Sequence, residues 1–409
     1  MKLKPRVLAN TILNAVKTFP AVVLTGPRQS GKTTLFQMLF SKGHNFVSLE
    51  DPDIRIRAKE DPKGFLNQYR PPVIIDEIQY LPELLSYIKT EIDNDRKPGN
   101  WLLTGSQNFV LMQNVSQSLA GRAATLSLLP FSVSEMVDNA ENTRNISLWI
   151  KELSAGSEFS VKTPLSNILL RGFYPEIASN IAVDRQLWCG SYVTTYLERD
   201  VRNMANIGDL SQFERFLLVC AARTGQILNI SEMARDIGIS VTTAKRWLSI
   251  LEAGYQIYLL YPYYKNIGKR VVKSPKLYFN DPGLCTYLLG LNEEKTLING
   301  PSFGSLFETM IVCDFLKRFL HFGQRPSMYY LKTRDGLEID LVIELEGKLH
   351  LFEIKSSMTI TSKHASSLFK MINESGSPID TAAIISGTED NFTVKGDVTN
   401  YGWKNVSGF

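Results

Sequence analysis

Gly26-Pro27-Arg28-Gln29-Ser30-Gly31-Lys32-Thr33-Thr34 is a loop of the form G-x-x-x-x-G-K-T. Its residue types suit a phosphate chain. Gly26 and Gly31 allow the tight backbone that turns successive N–H groups toward one anion. A helix that starts at the loop's end adds partial positive charge. Lys32 can bridge two phosphates, and the Thr33 hydroxyl can ligate Mg²⁺. The whole run, Gly26 to Thr34, is therefore the expected contact surface for a nucleoside triphosphate.

A second group follows an apolar run. Pro72-Val73-Ile74-Ile75 leads into Asp76-Glu77. Asp76 at a strand tip can hold the Mg²⁺ shell, and Glu77 can polarise an attacking water. A D-E pair that merely starts a helix is the plain alternative. A third candidate is Ser106 in Gly105-Ser106-Gln107-Asn108, placed to sense the terminal phosphate, with Gln107 and Asn108 behind it. Gly121-Arg122 adds an arginine able to stabilise transition-state charge, in cis or from a neighbouring subunit. A structural salt bridge explains Arg122 equally well.

A fourth group lies near the C-terminus: Glu308, Asp340 and Glu353-Ile354-Lys355. Glu353 and Lys355 are two residues apart, so on a strand both point to one face. Asp340 and Glu353 on paired strands can converge on Mg²⁺, with Glu308 completing the shell from a helix. Lys355 can then orient or deprotonate a water for phosphodiester attack. The competing reading is an exposed sheet face with alternating charges.

These residues need elements to hold them. Residues 21–24, 46–49, 72–75, 101–104 and 124–128 are short apolar runs of the kind buried in parallel sheets. Together they predict an α/β domain over residues 1–137, with helices on both faces and the ligand at the carboxyl ends of the strands.

The N-terminal third resembles the bacterial and archaeal AAA-type ATP-binding proteins. The resemblance rests on Gly26-Pro27-Arg28-Gln29, Leu49-Glu50-Asp51-Pro52, Asp76-Glu77-Ile78-Gln79, Thr104-Gly105-Ser106, Leu119-Ala120-Gly121-Arg122 and Leu129-Pro130-Phe131-Ser132. It implies a P-loop NTPase fold with ATP and Mg²⁺ as cofactors. It also implies a C-terminal domain with a nuclease-like core. No N-K-x-D guanine-reading motif follows the Asp-Glu strand, which agrees with ATP.

Residues 138–210 read as a variable insert and helical lid. They contain the turn Arg171-Gly172-Phe173-Tyr174-Pro175-Glu176 and an amphipathic stretch over 187–204. Arg199 and Arg202 lie on that stretch, although exposed helix arginines rarely reach a ligand. Residues 211–290 read as a winged helix-turn-helix. Asn229 with Glu232 forms a capping-box-like start, Gly238 makes the turn, and Ser240 caps the next helix. A hairpin surrounds Lys265, Lys269 and Arg270. Between residues 221 and 276 nine Lys or Arg stand against three Asp or Glu, in a chain whose total charge is only +4. This local excess suits nucleic acid, with Lys245 and Arg246 toward the bases and Lys269-Arg270 on the backbone. A regulatory cap on the ATPase fits as well. Residues 300–409 read as helix, three strands, helix and strand, which resembles the core of restriction-endonuclease-like folds.

Composition sets limits. With 44% hydrophobic and 21% charged residues, the chain is of ordinary globular type, and its 409 residues suggest several domains. No apolar run approaches the length of a membrane span, and the start has no secretory pattern. Cys189, Cys220, Cys285 and Cys313 form no C-x-x-C pair, and the four histidines show no ligand spacing. Reduced thiols and a cytoplasmic location are expected. The leading expectation is an ATP-driven switch. The alternatives are an ATP-licensed DNA or RNA nuclease, or a non-catalytic interaction protein that needs nucleotide to fold.

Overall fold

The protein is described by a computed structural model over residues 3–106, 118–153, 161–196, 201, 210–264, 273–333, 336–374 and 378–407. Gln107, Asn108, Arg199, Arg202, Lys265, Lys269 and Arg270 lie outside the described residues.

Strands β1 (Ala21–Thr25), β2 (Asn45–Ser48), β3 (Val73–Asp76), β4 (Trp101–Gly105) and β5 (Ala123–Ser127) form one sheet in the order β2-β3-β4-β1-β5. Every neighbouring pair is parallel. The sheet is buried on both faces, as its continuous apolar runs require. Val23, Ile75, Trp101 and Leu103 pack on one side. Val22, Leu24, Ile74 and Leu102 pack on the other. The five expected strands are present, with ends shifted by a residue or so. Spatially, β4 separates β1 from β3 and so brings Thr104 beside Asp76.

The middle of the chain is mainly helical. After Leu165–Arg171, Pro175–Ser179 and Arg185–Thr195 come helices Leu210–Ala222, Ile230–Ile237 and Val241–Ala253. Strands β6 (Gln226–Ile227), β7 (Ile257–Leu260) and β8 (Lys276–Phe279) add a small antiparallel sheet in the order β6-β8-β7. Ser240 caps its helix through Thr243 N, and Gly238 ends the preceding one in the left-handed region at φ 78°. Asn229 accepts from Glu232 N, but the Glu232 carboxylate pairs with Arg223 at 2.9 Å instead of closing a capping box.

The long helix Phe303–His321 leads into a six-stranded mixed sheet. Its strands are β9 (Met328–Lys332), β10 (Glu338–Leu345), β11 (Lys348–Lys355), β12 (Ile379–Ser386), β13 (Phe392–Lys395) and β14 (Val398–Gly402), ordered β13-β14-β12-β11-β10-β9. Strands β13 and β14 extend the sheet beyond the helix, three strands, helix and strand expected of residues 300–409. One apolar core includes residues from Leu129 to Val406, so the middle helices and the C-terminal sheet share part of their interior. Among the described residues no helix is long and apolar enough to cross a membrane.

Candidate functional site

The loop from Gly26 to Thr34 sits at the carboxyl end of β1. At Gly26 the backbone takes φ 148°, and a Cβ there would lie 2.1 Å from the Leu128 carbonyl oxygen. Only glycine fits without displacing β5's continuation. Gly31 takes φ 94° just before the helix Lys32–Phe40. Gln29 is left-handed at φ 58° without being glycine, a strained conformation that favours a functional loop. Pro27 and Ser30 are buried in the loop, Arg28 is half-buried, and Gln29 and Thr34 are exposed. Lys32 is buried and donates to the carbonyls of Gly26 (3.0 Å) and Pro27 (2.8 Å). Its ammonium thus lies across the loop.

Below the loop the expected metal-binding pair is in contact. Thr33 Oγ1 donates to Asp76 Oδ1 at 2.6 Å. Thr104 Oγ1 donates to the same oxygen at 2.6 Å, and Ser48 Oγ reaches Asp76 Oδ2 at 3.3 Å. Thr33 and Asp76 fit the hard oxygen donor set that Mg²⁺ takes. Glu77 follows at φ 57°, a second strained residue at the strand tips. Its N–H donates to Thr104 Oγ1 at 3.1 Å. Its carboxylate is held by Gln79 Nε2 and by Ser106 Oγ at 3.3 Å, and Gln79 Nε2 also donates to Ser106 Oγ at 3.0 Å. The structure therefore brings Lys32, Thr33, Asp76, Glu77 and Ser106 to one edge of the sheet. Gln79 and Thr104 belong there too, although their residue types alone point to no role. Their signal was position alone, next to Glu77 and at the tip of β4.

Arg122 requires a correction. It directly precedes β5, and β5 runs parallel to β1 with Ala123 beside Ala21. Arg122 therefore stands at the amino end of the sheet, opposite the phosphate loop. There it makes a two-pronged pair with Asp93, Nε to Oδ1 at 2.6 Å and Nη2 to Oδ2 at 2.9 Å. Of the two readings of this residue, the salt bridge describes its place within the chain.

An N-terminal residue props the loop from outside. Arg6 donates to the Ser30 carbonyl (2.8 Å) and the Leu129 carbonyl (2.6 Å), and its Nε lies 3.1 Å from Glu135 Oε1. Glu135 is fully buried, which works to raise its pKa, but the Arg6 guanidinium, with the Ser132 N–H that donates to the carboxylate, outweighs burial and holds it below the usual value. Beside Arg6 lies a cavity of about 120 Å³ lined by Leu3, Thr34, Leu35, Met38, Phe131 and Pro175. Leu3 and Met38 are exposed at 53% and 45% there, apolar surface left open beside the phosphate loop.

In the C-terminal sheet Asp340, Glu353 and Lys355 also meet. Lys355 Nζ lies 3.1 Å from Asp340 Oδ2 and 2.9 Å from Glu353 Oε1, and Ile354 N donates to Asp340 Oδ2 at 2.9 Å. Glu308 joins from the long helix, though not through a shared metal shell. The residue at the centre is Lys276 of β8, 3.2 Å from Glu308, 2.9 Å from Glu338 and 3.5 Å from Asp340. Tyr278 donates to Glu308 Oε1 at 2.6 Å. Burial and the neighbouring Asp340 push both Glu308 and Glu353 up to about 7. Among the described residues no group of three or more His, Cys, Asp or Glu is arranged to hold a metal ion. The expected metal set of Glu308, Asp340 and Glu353 thus departs from expectation: two lysines lie where the cation was placed. Lys276 had been counted only as part of a basic stretch.

Comparison with known proteins bears on each region separately. Residues 18–137 match a family described as an AAA domain. Residues 162–295 and 303–404 match two families each described as a domain of unknown function (DUF8612 and DUF4143). An uncharacterized protein of Mycobacterium tuberculosis is 29% identical over 359 residues, which cover 88% of this chain and 75% of that protein. An uncharacterized protein of Methanocaldococcus jannaschii is 23% identical over 83% of this chain and 76% of its own. Among solved structures, a Walker-type ATPase of Pyrococcus abyssi aligns with 70% of this chain and 99% of its own, at 16% identity and a TM-score of 0.43. The five-stranded parallel sheet, its phosphate loop and the match over residues 18–137 together make the N-terminal region an AAA-type P-loop ATPase fold.

Proposed function

We propose that this chain binds ATP with Mg²⁺ at the loop Gly26 to Thr34 and hydrolyses it. The observation that carries this reading is the joint contact of Thr33 and Thr104 with Asp76, directly beside a strained Glu77 held by Ser106. Loop N–H groups and Lys32 would bind the phosphates once the ammonium leaves the loop carbonyls. Thr33 and Asp76 would hold Mg²⁺, which neutralises phosphate charge. Glu77 would polarise the attacking water, with Ser106 and Gln79 setting the orientation of its carboxylate. The apolar cavity between Leu3, Met38 and Pro175 suits the nucleoside. Steady-state turnover of ATP tests this: wild type should release phosphate, and Glu77→Gln should bind ATP but release little. No turnover by well-folded wild type would favour a non-catalytic, ATP-dependent interaction protein.

Nucleotide state would then act on the middle helices and the C-terminal sheet, a switch in the sense of differential contact with the terminal phosphate. Exposed Lys245 and Arg246 on the helix Val241–Ala253, with the small antiparallel sheet beside it, support a winged helix-turn-helix that contacts nucleic acid.

A second reading is supported by the convergence of Asp340, Glu353 and Lys355 within 3.1 Å. It takes the C-terminal region as a Mg²⁺-dependent nuclease licensed by ATP. Incubating plasmid and RNA with Mg²⁺ or Mn²⁺ tests it, because cleavage that persists in Asp340→Ala would exclude this site.

A further inference from the structure

Asp93 holds Arg122 at the far edge of the sheet, so that guanidinium adds no charge to the phosphate loop of its own chain. Two other arginines do stand at the ligand edge. Arg28 is the third residue of the loop. Arg55 lies on the helix Pro52–Glu60, which starts just beyond the tip of β2. That tip is tied to the candidate metal ligand. Ser48 Oγ reaches Asp76 Oδ2 at 3.3 Å, and Leu49 N donates to the Asp76 carbonyl at 3.0 Å. Asp51 then caps the helix, accepting from Asp53 N at 2.9 Å, which fixes the first turn beside Asp76.

Both guanidinium groups meet at Tyr80. Arg55 Cζ lies 5.1 Å from the centre of the Tyr80 ring. Arg28 Nη2 donates to the Tyr80 hydroxyl at 3.4 Å. Tyr80 closes the short turn Ile78–Tyr80 that follows Glu77 directly, and its N–H donates to the Glu77 carbonyl at 3.1 Å. One ring thus joins the loop, the helix after β2 and the residue proposed to polarise the water.

Arg55 differs from the arginines that serve as struts. Arg6 has Glu135 and two loop carbonyls, Arg122 has Asp93, and Arg223 has Glu232. Arg55 is half-buried, yet among the described residues its guanidinium makes no hydrogen bond or ion pair. A ring covers the face of a guanidinium and leaves its in-plane N–H donors open. Those donors form a planar fork that matches phosphate oxygens.

We propose that Arg55 grips the terminal phosphate of ATP bound to the same chain and so tells triphosphate from diphosphate. Tyr80 keeps its guanidinium beside the loop. The proposal rests on the reading of the loop as an ATP-hydrolysing site and adds the residue that reads the terminal group. In the step it serves, water adds to the terminal phosphorus and the bond to the bridging oxygen breaks. The electron pair of that bond leaves on ADP, and a water proton departs by way of Glu77. Negative charge gathers on the phosphoryl oxygens, where the Arg55 N–H groups meet it.

The test measures turnover, with calorimetric affinities for ATP and ADP in Mg²⁺, for wild type, Arg55→Gln and Arg55→Lys. Arg55→Gln should lose roughly 100-fold or more in kcat. It should lose about tenfold in ATP affinity and keep the ADP affinity of wild type. Arg55→Lys, which retains the charge without the fork, should fall between the two. Wild-type turnover in Arg55→Gln, or equal losses of ATP and ADP affinity, would overturn the role of Arg55 and leave the ATPase reading standing. No ATP binding by folded wild type would overturn both. If wild type binds ATP without turnover, the ratio of the two affinities decides alone. Mixing Arg55→Gln with Lys32→Ala should restore nothing, and recovered turnover would overturn the assignment to the same chain. Should Arg55→Gln fail to fold, Arg55→Lys carries the comparison, because it too must lose turnover while keeping ADP.

Discussion

The Tyr255 hydroxyl lies 2.6 Å from Thr25 Oγ1, so a residue of the middle region touches the last residue of β1 before the phosphate loop. The same hydroxyl is 3.2 Å from Ser127 Oγ at the tip of β5. Tyr255 sits between the helix Val241–Ala253 and β7, at φ 56° without being glycine. A conformation of that kind persists only where the surroundings enforce it. The contact joins the loop's base to the helix that carries Lys245 and Arg246.

Tyr255→Phe should lower stability by about 1 kcal/mol, the worth of a typical hydrogen bond. ATP affinity should stay close to wild type. Hydrogen exchange of residues 241–260 should no longer respond to added ATP and Mg²⁺. An unchanged response in the variant would show that the link runs elsewhere.

Glu77→Gln keeps the size and loses the charge proposed to polarise the attacking water. Turnover should fall by roughly 10²-fold or more, the usual share of a general base. ATP binding measured by calorimetry should survive. Equal losses of binding and turnover would mean that Glu77 supports the loop and not the water.

Gly26→Ala puts a methyl 2.1 Å from the Leu128 carbonyl oxygen. Either the loop or the segment after β5 must shift. A cost of about 1–3 kcal/mol is expected from overpacking, read as a lower Tm, together with loss of ATP binding. A variant with wild-type Tm and affinity would contradict the close approach.

His321 is fully buried near Glu135, Arg6, Lys317 and Arg318. Burial holds its pKa down to about 4 from an ordinary 6.5, against the pull of Glu135. Between these values the unfolded chain takes up a proton that the folded chain refuses. Stability therefore falls as pH drops from 6.5 to 4, by roughly 3 kcal/mol from this residue. His321→Gln should flatten the fall of Tm over that window. Identical slopes for both proteins would contradict a neutral imidazole.

Arg122→Ala should leave turnover unchanged at protein concentrations where the chain is monomeric, because the guanidinium faces Asp93 at the far end of β5. A large loss of kcat that appears only in an assembled form would assign Arg122 to a neighbouring subunit's site.

Much of the nucleotide site was legible in the residues themselves. Each strand of the N-terminal sheet is a short apolar run, and the polar residue after it marks the ligand edge. Thr33, Asp76, Glu77 and Ser106 could be placed by that rule. Arg122 broke it: a residue that precedes a parallel strand must sit at the opposite edge, and the Gly-Arg pair drew attention away from that geometry. Strands β13 and β14 escaped notice because they are short and polar. Asn400 is fully buried, and its amide nitrogen donates to Thr388 Oγ1 and to the Asp390 carbonyl, which no periodicity announces. Lys276 looked like one charge in a basic stretch. Its partners Glu308 and Asp340 lie 32 and 64 residues away, and only the fold brings them together.

Calorimetric titration of ATP with Mg²⁺ into the full chain, alongside Lys32→Ala, tests the central claim most directly. Saturable binding of ATP by wild type, abolished or strongly weakened in a folded Lys32→Ala, is the predicted result. No heat of binding from folded wild type, or equal affinity in the two proteins, would contradict it.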